Sequence, residues 1–180
     1  MLKKILTFTG ASGTGKSTLA KALGFPLVLS TTTRASRPSD HPGEYEYVTK
    51  DYFYEMKRCK GFIWSIPFGG SEYGTKHQPV NCALMSQNYS LMILVPEVVP
   101  KLLLHAGTDV VLPFYIRSQP EEVLRSRLEK RGDAPESIER RLQESKTWDE
   151  EVERSTIPYL FITNNGTIEE AVERVREYLK

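Results

Sequence analysis

Apolar positions along the chain fall into two rhythms. Short continuous runs, Ile5-Leu6-Thr7-Phe8, Leu27-Val28-Leu29, Leu91-Met92-Ile93-Leu94-Val95, 110–116 and Tyr159-Leu160-Phe161-Ile162, read as strands buried on both faces. The first is predicted over 3–9, and Ser30-Thr31-Thr32-Thr33 extends the second with β-branched residues. Between the runs the period lengthens to that of helices. One is predicted over 15–23 and ended by Gly24, and another over 98–105 despite Pro96 and Pro100. Ser118-Gln119-Pro120-Glu121 has the form of a capping box opening a helix with Val123, Leu124 and Leu128 inward, and Gly132 stops it. Asp133-Ala134-Pro135-Glu136 is expected to cap the next helix, which carries Ile138, Leu142, Trp148 and Val152. Thr167 caps the last, where Ile168, Ala171, Val172, Val175 and Leu179 form one stripe. Strands alternating with helices predict an α/β fold, a parallel sheet with helices on both faces.

One segment breaks the alternation. From Arg34 to about Pro79 the chain is rich in Tyr, Phe, Gly and Pro, with short alternating pieces such as Glu44-Tyr45-Glu46-Tyr47-Val48. This predicts a small inserted β-rich lobe with one short helix near 51–57, too small to be a separate domain. The expected organisation is one domain: a core of 1–33, 80–126 and 155–180, the lobe at about 34–79, and a helical lid at about 127–150.

Composition adds mainly exclusions. The 24 basic and 23 acidic residues nearly cancel, so nothing marks a nucleic-acid or membrane-surface binder. Cys59 and Cys82 have no CxxC spacing and are expected to be reduced thiols. His41, His77 and His105 lack ligand spacing. The longest apolar run cannot span a bilayer, and Met1-Leu2-Lys3-Lys4 leads directly into a strand, leaving no room for a signal peptide. A cytoplasmic protein, monomer or homodimer, is expected.

The chemistry starts at Gly10-Ala11-Ser12-Gly13-Thr14-Gly15-Lys16-Ser17-Thr18, which follows a strand and opens a helix. That context turns a glycine-rich turn into a phosphate-binding loop. The glycines let successive N–H groups converge on phosphate oxygens, and the helix start adds a favourable dipole. Lys16 is placed for the outer phosphates and the Ser17 hydroxyl for magnesium, which implies ATP with Mg2+. Arg34 and Arg37, three apart beyond a strand, form a second cationic site suited to a phosphorylated acceptor, with Tyr45 and Tyr73 as phenolic donors. Arg127 and Arg131 are four apart on one helix, and Arg141 lies a turn into the next, after the bend at 132–135. Such a pair of helices suits a flap that lowers cations onto a moving phosphoryl group.

On these motifs the sequence resembles the guanylate kinase family over nearly its whole length. The resemblance is carried by the phosphate loop, Ser30-Thr31-Thr32-Thr33-Arg34 with Arg37-Pro38, and Tyr73-Gly74-Thr75. It continues through Arg127-Leu128-Glu129-Lys130-Arg131-Gly132, Ser137-Ile138-Glu139-Arg140-Arg141-Leu142 and Thr163-Asn164-Asn165. It implies a three-layer P-loop NTPase-type sheet with an inserted acceptor-binding lobe and a helical lid. It also implies phosphoryl transfer from ATP to GMP or dGMP. By the same likeness Arg34, Arg37, Tyr73 and Tyr45 (or Tyr47) hold the acceptor phosphate, and Ser30 and Thr75 give hydroxyls to guanine O6. The lid arginines close on the phosphates, and Asn164, otherwise a routine turn residue, lies beside adenine.

The departures concern the acceptor base. Two carboxylates that read guanine in the family are matched here by Trp64 and Val95, while Glu72 and Glu97 stand off register. Glu97 is left as a water-mediated magnesium candidate, and Trp64 as packing or as a face for the base. An unpaired N–H edge in a closed site costs about 1–3 kcal/mol per group, so discrimination for guanine should be weak. Two other readings keep the fold: a kinase of ribose 1,5-bisphosphate or another nucleotide, and a non-catalytic phosphopeptide-binding module. The intact Ser-Thr-Thr-Thr-Arg element weighs against the first, and the complete phosphate loop against the second. A switch-type GTPase is disfavoured because no Asn-Lys-x-Asp motif occurs.

Overall fold

Strands and helices alternate as the hydrophobic pattern requires in the computed structural model of the protein, which describes residues 5–38, 40 and 42–180. In chain order they are β1 (Ile5–Thr9), α1 (Lys16–Leu23), β2 (Ser30–Thr32), β3 (Tyr45–Tyr47), α2 (Lys50–Arg58), β4 (Phe62–Phe68), β5 (Ser71–Lys76) and α3 (His77–Met85). There follow β6 (Ser90–Ile93), a 3-10 turn (Pro96–Val98), α4 (Val99–Ala106), β7 (Val111–Ile116), α5 (Glu121–Lys130), α6 (Pro135–Glu153), β8 (Leu160–Ile162) and α7 (Ile168–Glu177). Residues 3–4 of the first expected strand, the remaining N-terminal residues and His41 lie outside the described residues.

The larger-scale pattern is a parallel α/β sheet of order β6-β1-β7-β8 with helices on both faces, and a second sheet of order β3-β2-β5-β4. β1 is buried at every position, as a central strand covered on both faces must be. No described helix is long and apolar enough to cross a membrane.

Two compact units divide the chain. One comprises Thr7–Gly24, Ile93–Pro96 and Leu112–Lys180. In it Phe8 meets Phe114 edge to face, with ring centroids 5.8 Å apart, and the Thr9 hydroxyl donates to the Phe114 carbonyl at 3.0 Å. Helix α7 packs on α1, and its start is a full capping box between Thr167 and Glu170, as expected. Leu124 and Leu128 of α5 lock onto Ile138 and Leu142 of α6 to form a separate small core. The Tyr115 hydroxyl donates to Asp149 at 2.7 Å, and burial with that carboxylate raises its pKa.

Three local expectations fail here. The helix at 121–130 starts from Pro120 without a side-chain cap, and the Ser118 hydroxyl bonds Ser145 at 2.7 Å instead of closing a capping box. Val123 is 37% exposed, on the solvent side of a helix whose inward stripe is Leu124 and Leu128. Helix α6 begins from Ala134 with no side-chain cap, because Asp133 is engaged by two guanidinium groups, which are stronger partners than helix-end N–H groups.

The other unit comprises Phe25–Met92 and Glu97–Val111 together with the start of β1. Among the described residues the run at 27–29 makes one isolated parallel bridge, Leu27 to Leu91, and the chain then enters the second sheet at β2. Strand β2 pairs parallel with β3 and antiparallel with β5, while β4 and β5 form a hairpin around Gly69-Gly70. Helix α2, capped by Thr49, packs on one face of this sheet with Phe53 stacked on Phe62 at 4.6 Å. Its position matches the expected helix at 51–57. Helix α3 was not legible in the sequence. Pro79 suggests a loop, yet in a first helical turn proline forfeits no intrahelical bond. His77 and His105 touch edge to face with centroids 5.3 Å apart, and Cys59 and Cys82 are free thiols.

Candidate active site

The loop between β1 and α1 departs from ordinary backbone where the motif places glycine. A Cβ at Gly10 would stand 2.3 Å from the Ile116 carbonyl oxygen, closer than any side chain tolerates. Gly15 has φ 93° and forms the N-cap of α1, and a Cβ there would stand 2.3 Å from the Asn164 amide nitrogen. The loop is stitched from within: the Thr14 hydroxyl donates to the Ala11 carbonyl at 2.9 Å. Lys16 folds back so that Nζ donates to the carbonyls of Gly10 and Ala11 at 2.7 and 2.6 Å. Ser12, Gly13, Gly15 and Lys16 are half-buried, and Ser17 and Thr18 are exposed at the helix start.

Asn164 is buried, and its amide donates to the Thr14 carbonyl at 2.8 Å. In this unit the residue therefore braces the phosphate loop, a bond that neither the turn reading nor the adenine reading contained.

Two of the three arginines expected in a lid reach the same loop. Arg127 donates from Nη1 to the Gly13 carbonyl at 2.8 Å, and Arg141 donates to the Ser12 hydroxyl. Arg131, the C-cap of α5, bonds Asp133 from Nε at 2.9 Å. Arg141 Nε stands 3.3 Å from the other Asp133 oxygen, so one carboxylate serves both cations. The sequence thus brings Lys16, Arg127 and Arg141 to one loop, with Arg131 held beside Arg141 by Asp133.

In the other unit, one face of the second sheet carries Ser30, Tyr45, Tyr47, Trp64, Tyr73 and Thr75, as its pairing register and the alternation of side chains require. The Ser30 and Thr75 hydroxyls are 3.2 Å apart and hydrogen-bonded. Trp64 pairs directly with Thr75 and is only 6% exposed. Glu72 lies on the opposite face, where its Oε1 accepts from the Tyr54 hydroxyl of α2 at 3.2 Å. It is therefore turned away from the Ser30–Thr75 pair. Glu97 is exposed in the 3-10 turn, and Val95 is half-buried just beyond β6.

Arg34 is the centre of this face. Nε donates to the Tyr73 hydroxyl at 3.1 Å, and the guanidinium lies over the Tyr45 ring at 5.0 Å and the Tyr47 ring at 5.8 Å. Both tyrosines that the sequence left open are thus adjacent to it. Nη1 and Nη2 donate to the two oxygens of Asp40, each at 2.9 Å. Asp40 also accepts from the Arg37 backbone N–H at 2.7 Å and from the Tyr47 hydroxyl at 2.6 Å. The Arg37 side chain itself is exposed.

Burial works against the charge on Arg34, but Asp40 and Tyr73 outweigh it and hold its pKa above the ordinary value. Burial likewise opposes the Asp40 carboxylate, and the donors from Arg34, Tyr47 and Arg37 bring its pKa below the ordinary 3.8. Tyr47 is pushed up to about 12 by burial and by the Asp40 charge, and Tyr45 is raised chiefly by burial.

Two acids were missed. Asp133 reads only as a helix cap, and Asp40 carries no signal in the sequence beyond lying a few residues after Arg34 and Arg37. No group of three or more His, Cys, Asp or Glu side chains that could hold a metal ion occurs among the described residues.

A family model described as guanylate kinase matches residues 2–180 of the chain. A guanylate kinase from Trichormus variabilis is 33% identical over 147 residues, covering 78% of this chain and 73% of its own. One from Thermus thermophilus is 30% identical over 177 residues, 96% of this chain and 78% of that one. Among solved structures, a guanylate kinase from Anaplasma phagocytophilum gives a TM-score of 0.75 at 22% identity, covering 99% of this chain and 85% of that one, a likeness of fold.

Proposed function

The chain belongs to the guanylate kinase family, and on that premise we propose that it transfers the terminal phosphoryl group of ATP to GMP or dGMP, giving ADP and the nucleoside diphosphate. The observation that carries the reading is the convergence of Lys16, Arg127 and Arg141, from three different helices, on residues 10–13. Phosphoryl transfer needs in-line placement, exclusion of water and positive charge around the moving group, with little covalent help. Lys16 and the loop N–H groups hold the donor phosphates, Arg127 and Arg141 neutralise the group in flight, and Arg131 joins them from its place on Asp133. No general base is required.

The acceptor is held in the lobe at about 34–79, its phosphate by Arg34, Arg37, Tyr73 and Tyr45 or Tyr47. The joined hydroxyls of Ser30 and Thr75 meet the base, and Trp64 forms its apolar wall. Because Glu72 faces α2, no carboxylate is offered to the guanine N1–H and amino group from β5, and base discrimination is weak. The donor set fits magnesium, an oxygen-seeking ion that keeps much of its water, and the Ser17 hydroxyl would hold it. When bound, the ion would supply charge neutralisation at the donor phosphates. The lid at about 127–150 moves as the α5–α6 pair.

The test is acceptor-dependent ADP release from ATP with GMP, dGMP, AMP, UMP and ribose 1,5-bisphosphate. GMP or dGMP should be the best acceptor by a modest margin. Release unaffected by any nucleotide acceptor overturns the reading, and turnover confined to the sugar bisphosphate replaces it.

A further inference from the structure

We propose that Asp40 is the resident anion of the acceptor-phosphate seat, so that a phosphate binds Arg34 only by displacing it. The inference rests on the reading of Arg34 as an acceptor-phosphate ligand. A guanidinium has five N–H donors. In Arg34, Nε goes to Tyr73, one Nη1 hydrogen to the Ala35 carbonyl at 2.7 Å, and one hydrogen from each Nη to Asp40 at 2.9 Å. Four of the five are thus spent, and the fork that would grip two phosphate oxygens grips two carboxylate oxygens instead.

The surroundings fix this arrangement. The Arg34 and Asp40 side chains are 10% and 14% exposed, so water offers little competition for either. The Tyr45 and Tyr47 rings flank the guanidinium at 5.0 and 5.8 Å, which limits its freedom to turn and offer another edge. Asp40 draws two more donors, the Arg37 N–H and the Tyr47 hydroxyl, and Tyr47 is one of the phenols assigned to the acceptor phosphate. The carboxylate therefore satisfies the same donors that the ligand needs, in the same fork geometry.

Exchange is feasible because Asp40 belongs to the irregular connection between β2 and β3, outside the strand pairing. The apparent acceptor affinity is then the intrinsic affinity reduced by the fraction of molecules in which Arg34 has released Asp40. Asp40 sets the acceptor concentration at which the enzyme works without touching the reacting atoms.

The experiment measures the KM for GMP at saturating ATP, and inhibition by inorganic phosphate, in the full chain and in Asp40→Asn, Asp40→Ala and Arg34→Ala, with thermal melts to verify folding. Either Asp40 variant should lower the KM for GMP by roughly 3–10-fold, each tenfold being about 1.4 kcal/mol. Inorganic phosphate should inhibit those variants at correspondingly lower concentration, whereas Arg34→Ala should raise the KM. If Arg34→Ala raises the KM while both Asp40 variants leave it unchanged or raise it, Asp40 merely holds Arg34 in place and the inference is overturned. If Arg34→Ala leaves the KM unchanged, the acceptor assignment itself fails, and the inference with it.

Discussion

Gly15→Ala tests the phosphate loop at a position where the added methyl collides with a single side chain. The backbone at Gly15 has φ 93°, and a left-handed conformation costs a non-glycine residue roughly 1–2 kcal/mol. The added methyl would stand 2.3 Å from the Asn164 amide nitrogen, so that side chain must leave the Thr14 carbonyl it bonds at 2.8 Å. Losing that bond costs about 1 kcal/mol. Together these come to about 2–3 kcal/mol, a sizeable part of the stability of an ordinary domain. For a chain of this size the melting temperature should fall by roughly 5–10 °C. The affinity for ATP should fall as well, since any relaxation of the clash moves the N–H groups that hold phosphate. Thermal unfolding and equilibrium ATP binding measure the two effects. Asn164→Ala provides the control: in that background the collision is gone, and Gly15→Ala should cost only the backbone share. An equal cost of Gly15→Ala in both backgrounds would refute the argument, because the Asn164 contact would then contribute nothing.

Three further outcomes follow from the same geometry. Arg131→Ala should lower kcat by roughly 10³-fold, within the range of arginine-finger losses, without shifting the melting temperature; wild-type turnover would remove Arg131 from the mechanism. Leu128→Ala, in the small core shared by α5 and α6, should cost about 2–5 kcal/mol by equilibrium denaturation, and a cost below 1 would mean that the two helices do not depend on that core. Asp40 has a pKa below its ordinary 3.8 when folded, so its stabilising effect is complete at neutral pH and is lost as pH falls through the folded value. The difference in melting temperature between wild type and Asp40→Asn should therefore shrink on acidification from pH 6 to pH 3, and a difference that stays constant would contradict the ion pair.

The regular elements were legible because their signals are local. An apolar run such as 91–94 or a stripe such as Ala171, Val172 and Val175 states its own burial, and the helix at 50–58 and the Thr167 cap stand where their residues suggest. The conformation of the glycine-rich loop was legible for the same reason, since its glycines answer to backbone conformation within a few residues. What escaped depends on partners distant in sequence. Ser118 finds Ser145 rather than its own helix, and Asp133 finds Arg141 rather than the N–H groups after it. Asn164 meets a carbonyl 150 residues away. Helix α3 escaped for another reason: proline discourages a helix everywhere except in the first turn, and only the fold shows that Pro79 is there. The sheet face around Arg34 was half legible. Its arginines and tyrosines were named in advance, but the side of the sheet on which Glu72 falls is a matter of register, which no single strand reveals.

The bridge at Asp133 makes Arg131 and Arg141 interdependent. Arg131 and Arg141 share one counterion, so an incoming anion that engages either of them releases the carboxylate to the other. The first contact is made cheaper by what the remaining pair gains, and the second is made dearer for the same reason. On the proposed reading of these helices as a lid, the two cations would act less like independent fingers than like a balance beam, whose tilt depends on the total negative charge presented beneath it.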